Sequence, residues 1–147
     1  MNLDPVVILL AEDDPDDSYL IGEALDESNL KHKLFVVENG EELLDYLYNR
    51  GKYSDQEEWP RPGLILLDLN MPRKDGREAL GEIKSDPDLR RIPIVALTTS
   101  QAEEDIVSTY NWGISGYITK PMDFTTLLEV MRSLGRYWLE VVKLPPK

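Results

Sequence analysis

Leu64-Ile65-Leu66-Leu67-Asp68-Leu69-Asn70-Met71-Pro72 is the stretch that decides how this chain folds. Four apolar residues in succession mark a strand buried on both faces, as in a parallel sheet. The run stops at a carboxylate, with Asn70, Pro72 and Gly76 close behind. In open α/β sheets the chemistry sits at the carboxyl ends of the strands. Asp68 therefore stands where a functional group is expected: a metal ligand, a base or a nucleophile.

Outward from this strand, Val6 to Ala11 is a second unbroken apolar run, and Leu34–Val37, Pro93–Thr98 and Gly116–Thr119 read as further strands. Asp14 followed by Pro15 is an N-cap with proline at the first helical position. Leu20, Ile21, Ala24 and Leu25 then recur at helical spacing to about Ser28. Asn39 with Glu42 resembles a capping box ahead of the stripe Leu43, Leu44 and Leu47. Asp75 caps a helix from about Gly76 to Lys84, and Ser100 with Glu103 caps one reaching about Trp112. A long last helix runs from about Phe124 to Val142. Gly51 to Gly63, polar and punctuated by Pro60 and Pro62, reads as a loop.

Five strands alternating with five helices predict a doubly wound parallel sheet, a flavodoxin-like (βα)5 architecture of strand order 2-1-3-4-5. That order brings the ends of the first and third strands together and sets Glu12 and Asp13 beside Asp68. The chain's 147 residues, 41% of them hydrophobic, suit one domain over 1–147, with a core at about 6–134 and a C-terminal extension at about 135–147.

Composition excludes much. A net charge of −12, from 28 acidic and 16 basic side chains, argues against nucleic-acid binding, which needs a basic face. Most of that charge reads as a solvated acidic surface. With no cysteine and one histidine, His32, thiolate chemistry is absent, and imidazole zinc sites and Ser-His triads lose support. No apolar run approaches the ~18 residues that span a bilayer. The start, Met1-Asn2-Leu3-Asp4-Pro5, lacks a basic region and an apolar stretch, so a soluble cytoplasmic protein is expected.

Three crowded carboxylates repel one another, and a hard divalent cation relieves this. Mg2+ suits the small all-oxygen set best, leaving room for water and a phosphate. Asp14, Asp16 and Asp17 fall in a first helical turn, where acids favour the helix dipole, so their roles read as structural. Thr98 ends the fourth strand and Lys120 follows the fifth. Alone, each is unremarkable, a good strand former and a solvated cation. Around Asp68 they offer a hydroxyl and a positive charge to an incoming anion. Carboxylate, cation, lysine and hydroxyl together make a phosphoryl-transfer site.

Glu12-Asp13, the Leu-Asp-Leu-Asn-Met-Pro around Asp68, Thr98, Tyr117 and Lys120-Pro121 resemble the signature of two-component response-regulator receiver domains, over about Val6 to Leu134. The resemblance implies that Asp68 takes the phosphoryl group of a phosphohistidine on a sensor histidine kinase. It implies metal held by Asp13 and Asp68 directly, by Glu12 through water, and by the backbone carbonyl of Asn70. Thr98 would bond one phosphoryl oxygen and Lys120 pair with another, with a cis Lys120–Pro121 bond. Thr98 moving toward the phosphoryl group would vacate space for the Tyr117 ring and reshape the surface of the fourth helix, fifth strand and fifth helix. Asn70 and Ser100 occupy the positions that tune dephosphorylation.

Two features exceed the minimal pattern. The 51–63 loop is longer than the usual connection of ~2–6 residues. The last helix carries Leu127, Leu128, Met131 and Leu134 and then continues its apolar stripe. Trp138, Val141, Val142 and Leu144 lie past the expected core and read as an interface, predicting a two-fold homodimer. Both additions resemble the stand-alone regulators of phytochrome-type histidine kinases. If 147 residues is the natural length, output is expected through protein contact or phosphate relay. An Mg2+-dependent phosphohydrolase with an Asp nucleophile is one rival reading. It commonly needs a second acid two residues after the nucleophile, where Asn70 stands. A phosphorylation-independent interaction module is the other, and the complete acceptor set speaks against it.

Overall fold

The computed structural model describes residues 5–69, 71, 76–98, 116–119 and 123–136, with the backbone alone at 98, 117 and 119. Strands β1 (Val6–Ala11), β2 (His32–Val37), β3 (Leu64–Asp68), β4 (Ile94–Thr98) and β5 (Gly116–Thr119) pair in parallel in the order β2-β1-β3-β4-β5. This is the flavodoxin-like order the sequence predicts. The helices are α1 (Pro15–Glu27), α2 (Gly40–Leu47), α3 (Gly76–Ser85) and a C-terminal helix (Phe124–Arg136). The helix expected after Ser100 and the continuation beyond Arg136 lie outside the described residues. Among those described, no helix is long and apolar enough to cross a membrane.

Strand side chains alternate between faces, and the core divides accordingly. Leu9, Ile65, Leu67 and Ile94 pack with Leu43 and Leu47 of α2 and with Leu80 and Ile83 of α3. Ile8, Leu10, Leu64, Leu66, Val95 and Leu97 pack on the other side with Ile21 and Leu25 of α1 and Leu127, Met131 and Leu134 of the C-terminal helix. Buried on both faces, β3 is the apolar run its sequence announces, closed by the buried Asp68.

The helix starts follow their caps. Asp14 Oδ1 accepts from the Asp16 and Asp17 amides at 2.9 and 3.4 Å. Asn39 Oδ1 accepts from the Glu42 amide at 2.8 Å. The return bond of the capping box is displaced by one residue: Glu42 Oε2 accepts from the Glu38 amide at 3.4 Å, not from that of Asn39.

Three expectations need correction. β2 begins at His32, two residues before the apolar run, because His32 and Lys33 continue the ladder opposite Val6 and Val7. β4 begins at Ile94, one residue after Pro93. Leu20 is 40% exposed, so the buried side of α1 is Ile21, Ala24 and Leu25.

The loop holds more structure than its composition suggests. Gly51–Tyr53 is a 3-10 turn entered with Gly51 at φ +59°, a left-handed value glycine adopts without strain. The rings of Phe35, Tyr46, Tyr53 and Trp59 meet at centroid distances of 5.0–6.0 Å, tilted or edge-on. The Tyr46 hydroxyl donates to the Pro60 carbonyl at 2.8 Å, and burial pushes that phenol up to about 12. Arg61 clamps the end of the loop, donating to Asp88 Oδ2 at 2.8 Å and to the Asp88 carbonyl at 3.0 Å.

Candidate phosphoryl-transfer site

β1 and β3 align Ala11 with Leu67, and the next residues, Glu12 and Asp68, leave the sheet side by side. Glu12 still donates its amide to the Val37 carbonyl at 2.9 Å, so the ladder fixes it. By alternation, Glu12 follows Ile8 and Leu10, and Asp68 follows Leu64 and Leu66, on the face that packs α1 and the C-terminal helix. Glu12 is 1% and Asp68 5% exposed, whereas Asp13 is open to solvent. One oxygen from each of Glu12, Asp13 and Asp68 lies within 4.8 Å of the others. At that separation like charges repel by on the order of 3 kcal/mol per pair at an effective dielectric of about 20. A cluster of oxygen donors, two of them buried and one at the mouth, fits a hard divalent cation.

The start of α1 supports the cluster from below. The Asp14 amide donates to Glu12 Oε2 at 3.2 Å, holding one carboxylate oxygen of Glu12. Asp14 therefore caps α1 with its side chain and steadies Glu12 with its backbone. Sequence reasoning assigns it only the first role, since an amide contact across two residues has no signature in residue type. At the other rim, the Gly76 amide donates to the Leu69 carbonyl at 3.3 Å, tying the start of α3 to the end of β3.

Asp68 pairs with Leu97 of β4, which places the backbone of Thr98 one residue past that level, paired with Thr119. Tyr117 pairs through its backbone with Ala96. The side chains of Thr98 and Tyr117 lie outside the described residues. So do Asn70, Ser100, Lys120 with the Lys120–Pro121 bond, and Trp138, Val141, Val142 and Leu144. A cavity of about 30 Å³ opens between Asp17, Leu20, Ile21, Leu97, Ile118, Leu127 and Met131, none of them a member of the carboxylate cluster. It has room for about one water.

His32 takes no part. It starts β2 at the opposite end of the sheet, with Nδ1 2.7 Å from the Leu30 carbonyl and Nε2 3.4 Å from Asp26 Oδ1.

The family model described as response regulator receiver domain matches residues 8–132. Response regulator Rcp1 of Synechocystis sp. is 45% identical over 141 residues, spanning 96% of this chain and 94% of that protein. The crystal structure of the phosphorylated cyanobacterial phytochrome response regulator RcpA superposes with a TM-score of 0.88 at 44% identity, covering 97% of this chain and 99% of that one. The Mn2+-bound form of Rcp1 gives 0.86 at 45% identity, covering 97% and 100%.

Proposed function

The chain belongs to the response regulator receiver domain family, and on that premise we propose that Asp68 is the phosphoacceptor of a two-component phosphorelay switch. The convergence of Glu12, Asp13 and Asp68 at adjoining strand ends carries this reading. The likeness to regulators solved phosphorylated and with Mn2+ supports it. The whole of 1–147 is taken as one receiver, with its core at about 6–134.

A carboxylate oxygen of Asp68 forms the new bond to phosphorus. The P–N bond of the donor phosphohistidine breaks, and its electron pair returns to the imidazole. Glu12, Asp13, Asp68 and the Asn70 carbonyl are the groups assigned to hold Mg2+, which when bound offsets the clustered negative charge and polarises the phosphoryl oxygens. Thr98 donates to one phosphoryl oxygen and Lys120 pairs with another. Tyr117 follows Thr98 inward as the switch, and Asn70 and Ser100 govern how water reaches the acyl phosphate. The catalysis assigned to the chain is confined to its own phosphorylation and dephosphorylation.

The donor is a sensor histidine kinase, read as phytochrome-type from the likeness to Rcp1 and RcpA. The C-terminal helix and its extension, through Trp138, Val141, Val142 and Leu144, are assigned to a symmetric homodimer.

Acetyl phosphate with Mg2+ followed by intact mass measurement tests the central claim. One phosphoryl addition is expected, absent in Asp68→Asn and after chelation of the metal. An unmodified wild-type protein would overturn the reading, and sustained turnover of phosphomonoesters would favour a phosphohydrolase.

A further inference from the structure

Two glycines of α3 stand in opposite surroundings. Gly81 is exposed, and a Cβ built on it meets nothing within 4 Å. Gly76 is buried at the first position of the helix, where a Cβ would sit 2.5 Å from the Asp68 carbonyl oxygen and 2.8 Å from Leu69 Cα. Both neighbours are main-chain atoms, so no side-chain rotation relieves the overlap. The Gly76 amide also donates to the Leu69 carbonyl at 3.3 Å, fastening the two segments where they touch.

We propose that Gly76 is a positioning residue for phosphoryl acceptance: its missing side chain lets α3 close on the backbone of Asp68 and Leu69, and that contact sets where the Asp68 carboxylate stands relative to Glu12 and Asp13. The inference rests on Asp68 being the phosphoacceptor. An alanine there reaches ordinary contact only if the strand end or the helix start gives way by roughly an ångström. Catalytic constellations tolerate about half of that, and a misplacement of about 1 Å costs on the order of a hundredfold in rate. The strand end has little freedom of its own, because the Leu69 amide is tied to the Leu97 carbonyl at 3.1 Å.

The paired variants Gly76→Ala and Gly81→Ala test this. Phosphoryl gain from acetyl phosphate is followed by intact mass, and Mn2+ binding is followed by the electron paramagnetic resonance signal of the free ion. Gly81→Ala is expected to leave both unchanged and to raise the melting temperature by roughly 3 °C, as alanine is the better helix former. Gly76→Ala is expected to slow phosphoryl gain by about ten- to a hundredfold and to weaken Mn2+ binding, while keeping a cooperative melt. Combining it with Gly81→Ala supplies a stability margin. A folded Gly76→Ala protein with wild-type phosphorylation and Mn2+ binding overturns the proposal. Failure of the double variant to fold also overturns it, making the glycine a requirement of folding. A wild-type protein that takes no phosphoryl group would instead sink the phosphoacceptor reading, leaving Mn2+ binding to report on Gly76.

Discussion

Glu42 and Tyr53 join at 2.6 Å through the tyrosine hydroxyl, linking α2 to the loop that follows it. Burial raises the Glu42 carboxyl, but the Tyr53 hydroxyl, the Glu38 amide and Lys52 together outweigh it and hold the group below its ordinary value of 4.5. The same contact, added to burial, pushes the Tyr53 phenol well above its usual range. A carboxylate depressed on folding adds stability that is present above the unfolded value of about 4.5 and lost as pH falls through the folded one. Tyr53→Phe is therefore expected to cost about 1 kcal/mol at pH 7, because Glu42 is partly solvated, and less at pH 3. Urea unfolding at the two pH values measures it, and an equal loss at both would show that the Glu42 charge is not involved. Of the residues assigned chemistry, Glu12, Asp13 and Asp68 were legible because strand ends and strand order place them without further information. The close approach behind Gly76 was not, since only a folded helix laid against a folded strand creates it.

Among the elements, strands with continuous apolar runs declared themselves, and the edge strand β2 did so from Leu34 on but not at its first two residues. β2 opens with His32 and Lys33, one partly buried and one exposed, so hydrophobicity could not mark a start that backbone pairing sets. Leu20 shows the matching error on α1, where helical spacing admits a residue at the margin of the buried stripe. The 51–63 loop was read from its prolines and polar residues, which do describe its backbone. They conceal the packing of Trp59 and Tyr53 on Phe35 and Tyr46, contacts made across the sequence. That packing predicts that Trp59→Ala costs roughly 3 kcal/mol. Urea unfolding checks the figure, and limited proteolysis should find new cleavage between Gly51 and Gly63. A variant as stable and as resistant as the wild type would mean that the rings only decorate the loop.

For the molecule as a whole, the architecture predicted from alternating elements is the one observed among the described residues, down to the strand order. The C-terminal helix closes one face, with its buried Gly135 set so that a Cβ would lie 3.4 Å from Leu30, at the corner between α1 and β2. Its last turn is thus already in contact with the domain. On the proposed homodimer, light scattering is expected to give a dimer for the full chain and a monomer for a chain ending at Gly135; a monomeric full chain would overturn it. A dimer that survives the truncation would place the interface elsewhere.

The alternation that sends Glu12 and Asp68 to one side of the sheet has a further consequence. It makes the protein two half-molecules set back to back. One half, under α1 and the C-terminal helix, shares its strand positions with Glu12 and Asp68. The other, under α2 and the aromatic loop, packs against the alternate strand positions, and apart from the start of α3, which touches the backbone of Asp68, its substitutions are expected to register in melting. Such a division leaves the flank under α2 and the loop open to change, provided the start of α3 keeps its seat on the end of β3.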